Sequence, residues 1–302
     1  PCIACLQGCV ANMYAGNPIC CLTNPFLGHE AEPIAKTENP KKVMVIGGGV
    51  AGLCAAFIAK EKGHEVTLYE AGDVLGGNMR LAAYPPGKGD ITNMIRSYIH
   101  RCQKDGVKIV MNCEVTPELI KEEKPDSVII ATGSKTLILP IEGIDNPAII
   151  HGSDLLDGKR PAGKKVLVVG GGMVGCETAA FLGEQEHDVT VIEFRDTVGA
   201  DVIHEHRVYL MKDFEDYGIK EITGAKVCKF YEDGVEYETA DGVRHETRGY
   251  DSVILSMGFR NYNPLEEKIK DLVPETHVIG DAIRARRALD ATKEAYEVAS
   301  RL

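Results

Sequence analysis

Val43-Met44-Val45-Ile46 runs directly into Gly47-Gly48-Gly49-Val50-Ala51-Gly52, and further on Val166-Leu167-Val168-Val169 runs into Gly170-Gly171-Gly172-Met173-Val174-Gly175. Each stretch is a short apolar strand ending in G-x-G-x-x-G and followed by residues of helical pattern. A second apolar strand then ends in an acid, Glu70 in the first copy and Glu193 in the second, at the same distance from the first glycine. A glycine-rich turn alone is common, but the whole strand–turn–helix–strand–acid unit is specific because every part has a task. The glycines allow the tight turn, the approach of a pyrophosphate to backbone and close helix–strand packing. The helix N-terminus faces the phosphates, and the carboxylate accepts hydrogen bonds from a ribose. Two copies predict two dinucleotides in one chain, and two dinucleotides imply electron transfer between them.

Composition fits that reading. A chain of 302 residues is long enough for about two domains with their own cores. An apolar fraction of 44% and a charged fraction of 26% are ordinary for a globular protein. The net charge of −11 argues against nucleic acid or an anionic membrane as partner. The longest apolar runs are strand-sized and no signal peptide opens the chain, so no membrane span and a cytoplasmic location are expected. The first residue is Pro1, directly before a cysteine, which reads as a chain cut or processed from something longer.

The ten cysteines sort into two groups. Cys54 and Cys176 follow the glycine turns and read as small packing residues. Cys102, Cys113 and Cys228 stand singly. The other five, Cys2, Cys5, Cys9, Cys20 and Cys21, crowd the N-terminus. C-x2-C-x3-C is too tight for comfortable disulfides, and a soft thiolate cluster selects zinc or an iron–sulfur centre. Beside a pair of redox cofactors, a [4Fe–4S] cluster is the better expectation. Spacing alone leaves Cys20 and Cys21 both open as the fourth ligand.

The remaining pattern is that of a discontinuous two-domain module. Strands are expected at 43–47, 65–70, 107–111 and 127–131, with helices at 50–62, near 90–105 and at 117–123. Leu75-Gly76-Gly77-Asn78 and Ala131-Thr132-Gly133 are turns small enough to abut a ligand. The stretch from Pro140 to Pro161 reads as the crossing to a second unit, with strands 166–170 and 189–193, helices 173–186 and 204–217, and short strands up to about 248. Strand 251–255 and Met257-Gly258 then lead back. Val278-Ile279-Gly280-Asp281-Ala282 closes the motifs. Gly-Asp alone is a turn signal, but at the end of a strand ahead of a helix near Ala288 it can aim one carboxylate at a sugar-alcohol chain.

The stretch Pro1-Cys2-Ile3-Ala4-Cys5-Leu6-Gln7-Gly8-Cys9, then Cys21-Leu22-Thr23-Asn24-Pro25 and His29-Glu30, resembles the linker of one iron–sulfur flavoenzyme family. That family comprises 2,4-dienoyl-CoA reductase, 2-enoate reductase, NADH:flavin oxidoreductases related to Old Yellow Enzyme, and trimethylamine dehydrogenase. Its C-x2-C-x3-C-x11-C spacing implies Cys2, Cys5, Cys9 and Cys21 as the cluster ligands, with Cys20 an extra thiol. The resemblance extends along the chain through Pro86-Gly87-Lys88, Ala131-Thr132-Gly133, Gly170 to Glu177, and Asp281 with Arg286-Arg287-Ala288-Leu289-Asp290. It implies an α/β fold of two Rossmann-like dinucleotide-binding domains, glutathione-reductase-like, with the NAD domain inserted into a discontinuous FAD domain. The expected boundaries are 1–30 for the iron–sulfur segment, 40–150 and 251–302 for the FAD domain, and 151–250 for the NAD(H) domain.

The resemblance also assigns cofactors. The first unit with the terminal Gly-Asp is expected to hold FAD through Gly47, Gly49, Ala51, Gly52, Glu70, Ala71, Gly77, Asn78, Lys88, Val115, Ala131, Thr132, Gly133, Gly280, Asp281 and Ala288. Lys88 also reads as a solvated charge before a helix. The inserted unit is expected to hold NAD(H) through Gly170, Gly172, Met173, Val174, Gly175, Glu177, Glu193, Arg195 and Gly258. Glu193 would repel a 2′-phosphate and hydrogen-bond a free 2′-OH. NADH is therefore preferred over NADPH, although Arg195 is the kind of residue that accommodates NADP. Glu177 also reads as a first-turn acid favoured by the helix dipole.

The function so implied is an NAD(P)H-dependent flavin oxidoreductase module. Hydride would pass from NADH to FAD by proximity and orientation, without a general acid or base, and electrons would leave singly through the cluster. The acceptor expected in the parent enzyme is FMN in a (β/α)8 barrel that reduces an activated alkene, such as an enoate or 2,4-dienoyl thioester. Such a barrel takes ~250 residues and is not in this chain, so its FMN and acid–base residues would lie elsewhere. No C-x4-C or C-x2-C stands beside the flavin region, so a flavin–disulfide mechanism has no support. Two alternatives remain open. One is a trimethylamine-dehydrogenase-like module that holds ADP structurally, and the other a non-catalytic docking domain. Oligomerisation is also left open.

Overall fold

The two apolar runs that precede the glycine turns become the central strands of two separate five-stranded parallel sheets. The computed structural model describes all residues, Pro1–Leu302. In chain order it begins with a short helix not anticipated from sequence, α1 (Val10–Tyr14), followed by β1 (Lys42–Ile46), α2 (Val50–Glu61), β2 (Glu65–Tyr69), α3 (Asp90–Lys104), β3 (Lys108–Val110), α4 (Pro117–Glu123) and β4 (Ser127–Ile130). After β5 (Ser134–Thr136) come β6 (Ile150–His151), α5 (Gly152–Leu156), β7 (Lys165–Val169), α6 (Met173–Glu184), β8 (Asp188–Ile192), α7 (His204–Asp216) and β9 (Lys220–Ile222). Three strands, β10 (Lys226–Tyr231), β11 (Gly234–Glu238) and β12 (Arg244–Thr247), precede β13 (Ser252–Leu255). The chain ends with β14 (Phe259–Asn261), α8 (Glu266–Ile269), β15 (Glu275–Val278) and α9 (Ala288–Ala299).

Two compact units result. Unit 1 comprises residues 1–83, 90–135 and 260–302, and unit 2 comprises 84–89 and 136–259. The sheet of unit 1 runs β15-β4-β1-β2-β3, all parallel, with Met44 of β1 in register with Thr67 and Val128. Strands covered on both faces need apolar residues at every position, which is why Val43–Ile46 is a continuous run and is buried throughout. Helix α2 is buried from Val50 to Ala59. Its small residues Cys54, Ala55, Ala56 and Ala59 let it lie between the sheet and its neighbours α3 and α9. Helix α3 turns the face Ile91, Met94, Ile95, Tyr98 and Cys102 inward, as its spacing predicts.

Unit 2 repeats the plan with the parallel order β6-β13-β7-β8-β9. It adds an antiparallel sheet β10-β11-β12. The boundaries expected at 150/151 and 250/251 fall instead at 135/136 and 259/260. The later boundary follows from β13, whose four residues are all buried between β6 and β7 inside the second sheet. Segment 84–89 also packs with unit 2, and residues 1–30 pack within unit 1 rather than standing apart. No helix is long and apolar enough to cross a membrane.

Candidate dinucleotide sites and the cysteine segment

In unit 1 the strand β1 delivers Gly47 to the top of the sheet and α2 leaves from Gly49. A side chain on Gly47 (φ 108°) would begin 2.3 Å from the Ala131 carbonyl oxygen, and one on Gly52 only 1.9 Å from that of Gly47. Glycine at these two places is therefore what lets the helix, the turn and the Ala131 loop share one spot. The turn is closed by Glu70, whose Oε2 accepts the Gly48 N–H and whose Oε1 accepts the Gly72 N–H, each at 2.7 Å. A carboxylate has about four lone-pair sites, so capacity remains to meet a ribose. Gly77 lies against Gly49, Ala71 is exposed at the end of β2 and Val115 is buried. Thr132 Oγ1 donates to the Tyr262 carbonyl at 2.5 Å, and Gly133 accepts from the Tyr262 N–H at 2.9 Å.

Asp281 meets Asn78 through a residue that sequence reading passed over. Ser134 Oγ donates to Asp281 Oδ2 at 2.9 Å, and Asn78 Nδ2 donates to both the carbonyl and the hydroxyl of Ser134 at 3.3 Å. The other oxygen of Asp281 accepts the Arg286 N–H at 3.0 Å. The Gly280 turn (φ 63°) is held by Glu294, which accepts the Gly280 N–H at 2.7 Å and pairs with Arg286. Gly280 rests against Ala51 and Ala291, and Ala288 opens α9 behind it. Ser134 directly follows the Ala-Thr-Gly turn, and that adjacency was the only signal of its role in the sequence.

In unit 2 the same construction returns. A side chain on Gly170 would meet the Ser256 carbonyl oxygen at 2.4 Å, and one on Gly175 the Gly170 oxygen at 1.8 Å. Glu193 closes the turn, with Oε2 accepting the Gly171 N–H at 2.5 Å and Oε1 the Arg195 N–H at 2.9 Å. A cavity of about 230 Å³ opens there. Gly170, Gly172, Met173, Val174, Glu193, Arg195 and Gly258, named above as NAD(H) candidates, line it together with Thr197, Ala200, Asp201, Ser256 and Met257. Two expected residues lie elsewhere. Gly175 is used in packing, and Glu177, buried, forms an ion pair with Lys88. Lys88, expected at the FAD site, thus belongs to unit 2.

The N-terminal thiols gather around Cys5. Burial, and then the nearby thiols of Cys21, Cys9 and Cys2, push the Cys5 thiol above its ordinary pKa, while a hydrogen bond from the Gln7 backbone pulls the other way. Ala4 and Leu6 take left-handed backbone (φ 51° and 54°) to wrap this loop, and the Ala4 N–H points at Cys2 Sγ at 3.3 Å. Cys20 is committed elsewhere. Its thiol accepts from Asn12 Nδ2 at 3.5 Å and packs on Gly8, where an added side chain would begin 2.8 Å from the sulfur. No group of three or more His, Cys, Asp or Glu side chains is arranged to hold a metal ion. Behind the loop, Leu22 is fully buried and its carbonyl accepts the Tyr98 hydroxyl at 2.8 Å. Phe26 and Phe57 hold the Arg101 guanidinium 4.8 and 4.3 Å from their centroids, and His29 stacks on Tyr296 at 4.3 Å. Cys54 and Cys176 are wholly buried, and burial first of all raises both thiols, that of Cys176 to about 12. Thiols so placed stay protonated and inert.

Two matched Rossmann units, each with its turn closed by a glutamate, define an oxidoreductase that handles two dinucleotides. The sequence profile of the pyridine nucleotide-disulphide oxidoreductase family matches residues 41–279, and the chain belongs to that family, whose members bind FAD and NAD(P)H. Cinnamate reductase from Clostridium sporogenes is 33% identical over 306 residues, covering 100% of this chain and 45% of that protein. NADH oxidase from Thermoanaerobacter brockii is 34% identical over 307 residues, covering 99% of this chain and 47% of that protein. Among solved structures, 2-naphthoyl-CoA reductase in complex with 2-naphthoyl-CoA matches with a TM-score of 0.94 at 32% identity, covering 100% of this chain and 46% of that one. The chain spans about half the length of the relatives it matches. The matches to cinnamate reductase and 2-naphthoyl-CoA reductase agree with the family resemblance read from the cysteine segment.

Proposed function

We propose that the chain is the NADH-oxidising, electron-delivering part of a larger flavoenzyme, with FAD on unit 1, NADH on unit 2 and a [4Fe–4S] cluster on Cys2, Cys5, Cys9 and Cys21. The observation that carries the reading is the matched pair of closures, Glu70 on Gly48 and Glu193 on Gly171. Each holds a carboxylate at the rim of a glycine turn, where a ribose would find an acceptor and the helix N-terminus a phosphate.

The bound groups would supply the redox chemistry, hydride acceptance from NADH for FAD and single-electron relay for the cluster. The chain's own residues bind and orient. Asp281, steadied by Ser134 and the Arg286 N–H, presents a fixed carboxylate to a ribityl hydroxyl. Glu193, tied to two backbone N–H groups, cannot swing away from a 2′-phosphate, which favours NADH. Cys5 and the three thiols near it, Cys2, Cys9 and Cys21, supply the four ligands of a cluster in which each iron takes one cysteine. A single zinc ion would need them drawn closely together. The half-length match supports an acceptor domain outside this stretch, an FMN barrel that reduces an activated alkene such as an enoate or 2,4-dienoyl thioester.

The test is anaerobic titration of the purified protein with NADH and with NADPH. Flavin should be present and should bleach with NADH in preference to NADPH, and iron and acid-labile sulfide should be recovered together. Protein that binds ADP in place of flavin, or zinc in place of iron, would overturn the corresponding assignment.

A further inference from the structure

The two glycine turns match down to the hydrogen bond that closes them, but they differ at the next donor. We propose that Asp201 occupies the place of a dinucleotide pyrophosphate on unit 2 and thereby weakens nucleotide binding there. The inference rests on the reading of this cavity as the NADH site.

Asp201 sits in the turn ahead of α7 and its carboxylate lies on the start of α6. Its Oδ1 accepts the Met173 N–H at 2.8 Å, and its two oxygens lie 3.4 and 3.6 Å from where a Cβ on Gly172 would stand. Met173 is the first residue of the 12-residue helix α6, so its N–H is among the donors that no helical carbonyl satisfies and that a phosphate would take. Carboxylate and phosphate are both anions and cannot share that donor. The turn itself is pinned. The Gly199 N–H donates to the Gly171 carbonyl at 2.7 Å, and Arg207 donates to Thr197 Oγ1 and the Val198 carbonyl at 2.8 and 3.1 Å. With the turn pinned, a phosphate would reach this donor only by displacing the Asp201 carboxylate from it.

Unit 1 makes the matching bond, Gly76 N–H to the Gly48 carbonyl, but two residues on it carries the neutral Asn78 where unit 2 has Asp201. A resident cofactor gains from an uncontested anion site. A nucleotide that must leave after each turnover gains from one in which an internal anion competes, because the displaced hydrogen bond and the residual charge repulsion both offset binding. Asp201 thus sets affinity through the phosphates and leaves the adenosine contacts untouched.

The experiment titrates the FAD-replete protein and its Asp201→Ala and Asp201→Asn variants with NADH, ADP-ribose and adenosine. Asp201→Ala should bind ADP-ribose and NADH roughly tenfold more tightly, the scale of one charge-assisted hydrogen bond. Asp201→Asn should fall between that variant and wild type. Adenosine, lacking phosphates, should change by less than about twofold. ADP-ribose binding that is unchanged or weaker in both variants, at unaltered melting temperature, would overturn the proposal. So would an equal gain for adenosine, which would mark a change of shape rather than of charge. If Asp201→Ala melts early, Asp201→Asn decides. Wild type that binds neither ADP-ribose nor NADH would instead sink the NADH-site reading, and this inference with it.

Discussion

Glu193 Oε2 accepts the backbone N–H of Gly171 at 2.5 Å, which fixes the carboxylate at the mouth of the second glycine turn. Glu193→Ala removes both the acceptor for a ribose hydroxyl and the charge that repels a 2′-phosphate. The KM for NADH should rise about tenfold, the loss of roughly 1.4 kcal/mol, while NADPH loses far less. Stopped-flow flavin bleaching with each nucleotide measures this. Faster reduction of wild type by NADPH would assign specificity to Arg195 instead.

Asp281→Ala should lower FAD occupancy. The substitution removes a carboxylate already positioned by Ser134, and with it a charge-assisted hydrogen bond of about 1.5–3 kcal/mol. The ratio of flavin to protein absorbance after dialysis reads the effect. Retention equal to wild type would remove Asp281 from the site.

Cys5→Ser should abolish bound iron and sulfide and leave FAD in place. NADH should still bleach the flavin, because that step needs only the two dinucleotide units. Cys21→Ser should behave like Cys5→Ser, whereas Cys20→Ser should keep its iron, since the Cys20 thiol is turned to Asn12 and Gly8. Iron lost from Cys20→Ser but kept in Cys21→Ser would shift the ligand set by one residue.

Stability should fall as the pH drops below the ordinary histidine range. His64 is buried and its Nδ1 accepts the Lys41 N–H at 3.0 Å. Burial, and then the charges of Lys41 and Lys62, hold its pKa below the usual value. The unfolded chain takes up a proton near pH 6.5 while the folded chain resists it. This contribution is thus present above about pH 6.5 and is lost on acidification. His64→Gln keeps an acceptor and cannot titrate, so its urea midpoint should change less than that of wild type between about pH 7.5 and pH 5.5. Parallel pH profiles would exclude His64 as a source of acid lability.

The stretches Val43–Gly52 and Val166–Gly175 determined by themselves that this chain carries two Rossmann units. Their logic is local: a run buried on both faces must be apolar throughout, and a helix that starts against its own strand leaves no room for a Cβ at Gly47, Gly52, Gly170 or Gly175. The cysteine spacing was legible for the same reason, since Cys2, Cys5, Cys9 and Cys21 stand in one short N-terminal segment. Tertiary structure alone decided what distant segments do to one another. It brought Ser134 to Asp281 across 147 positions, paired Lys88 with Glu177, set β13 between β6 and β7 in the second sheet, and laid Asp201 on the first N–H of α6. Each of these depends on how whole elements stack. No periodicity within a segment records the side chain that another segment will present to it.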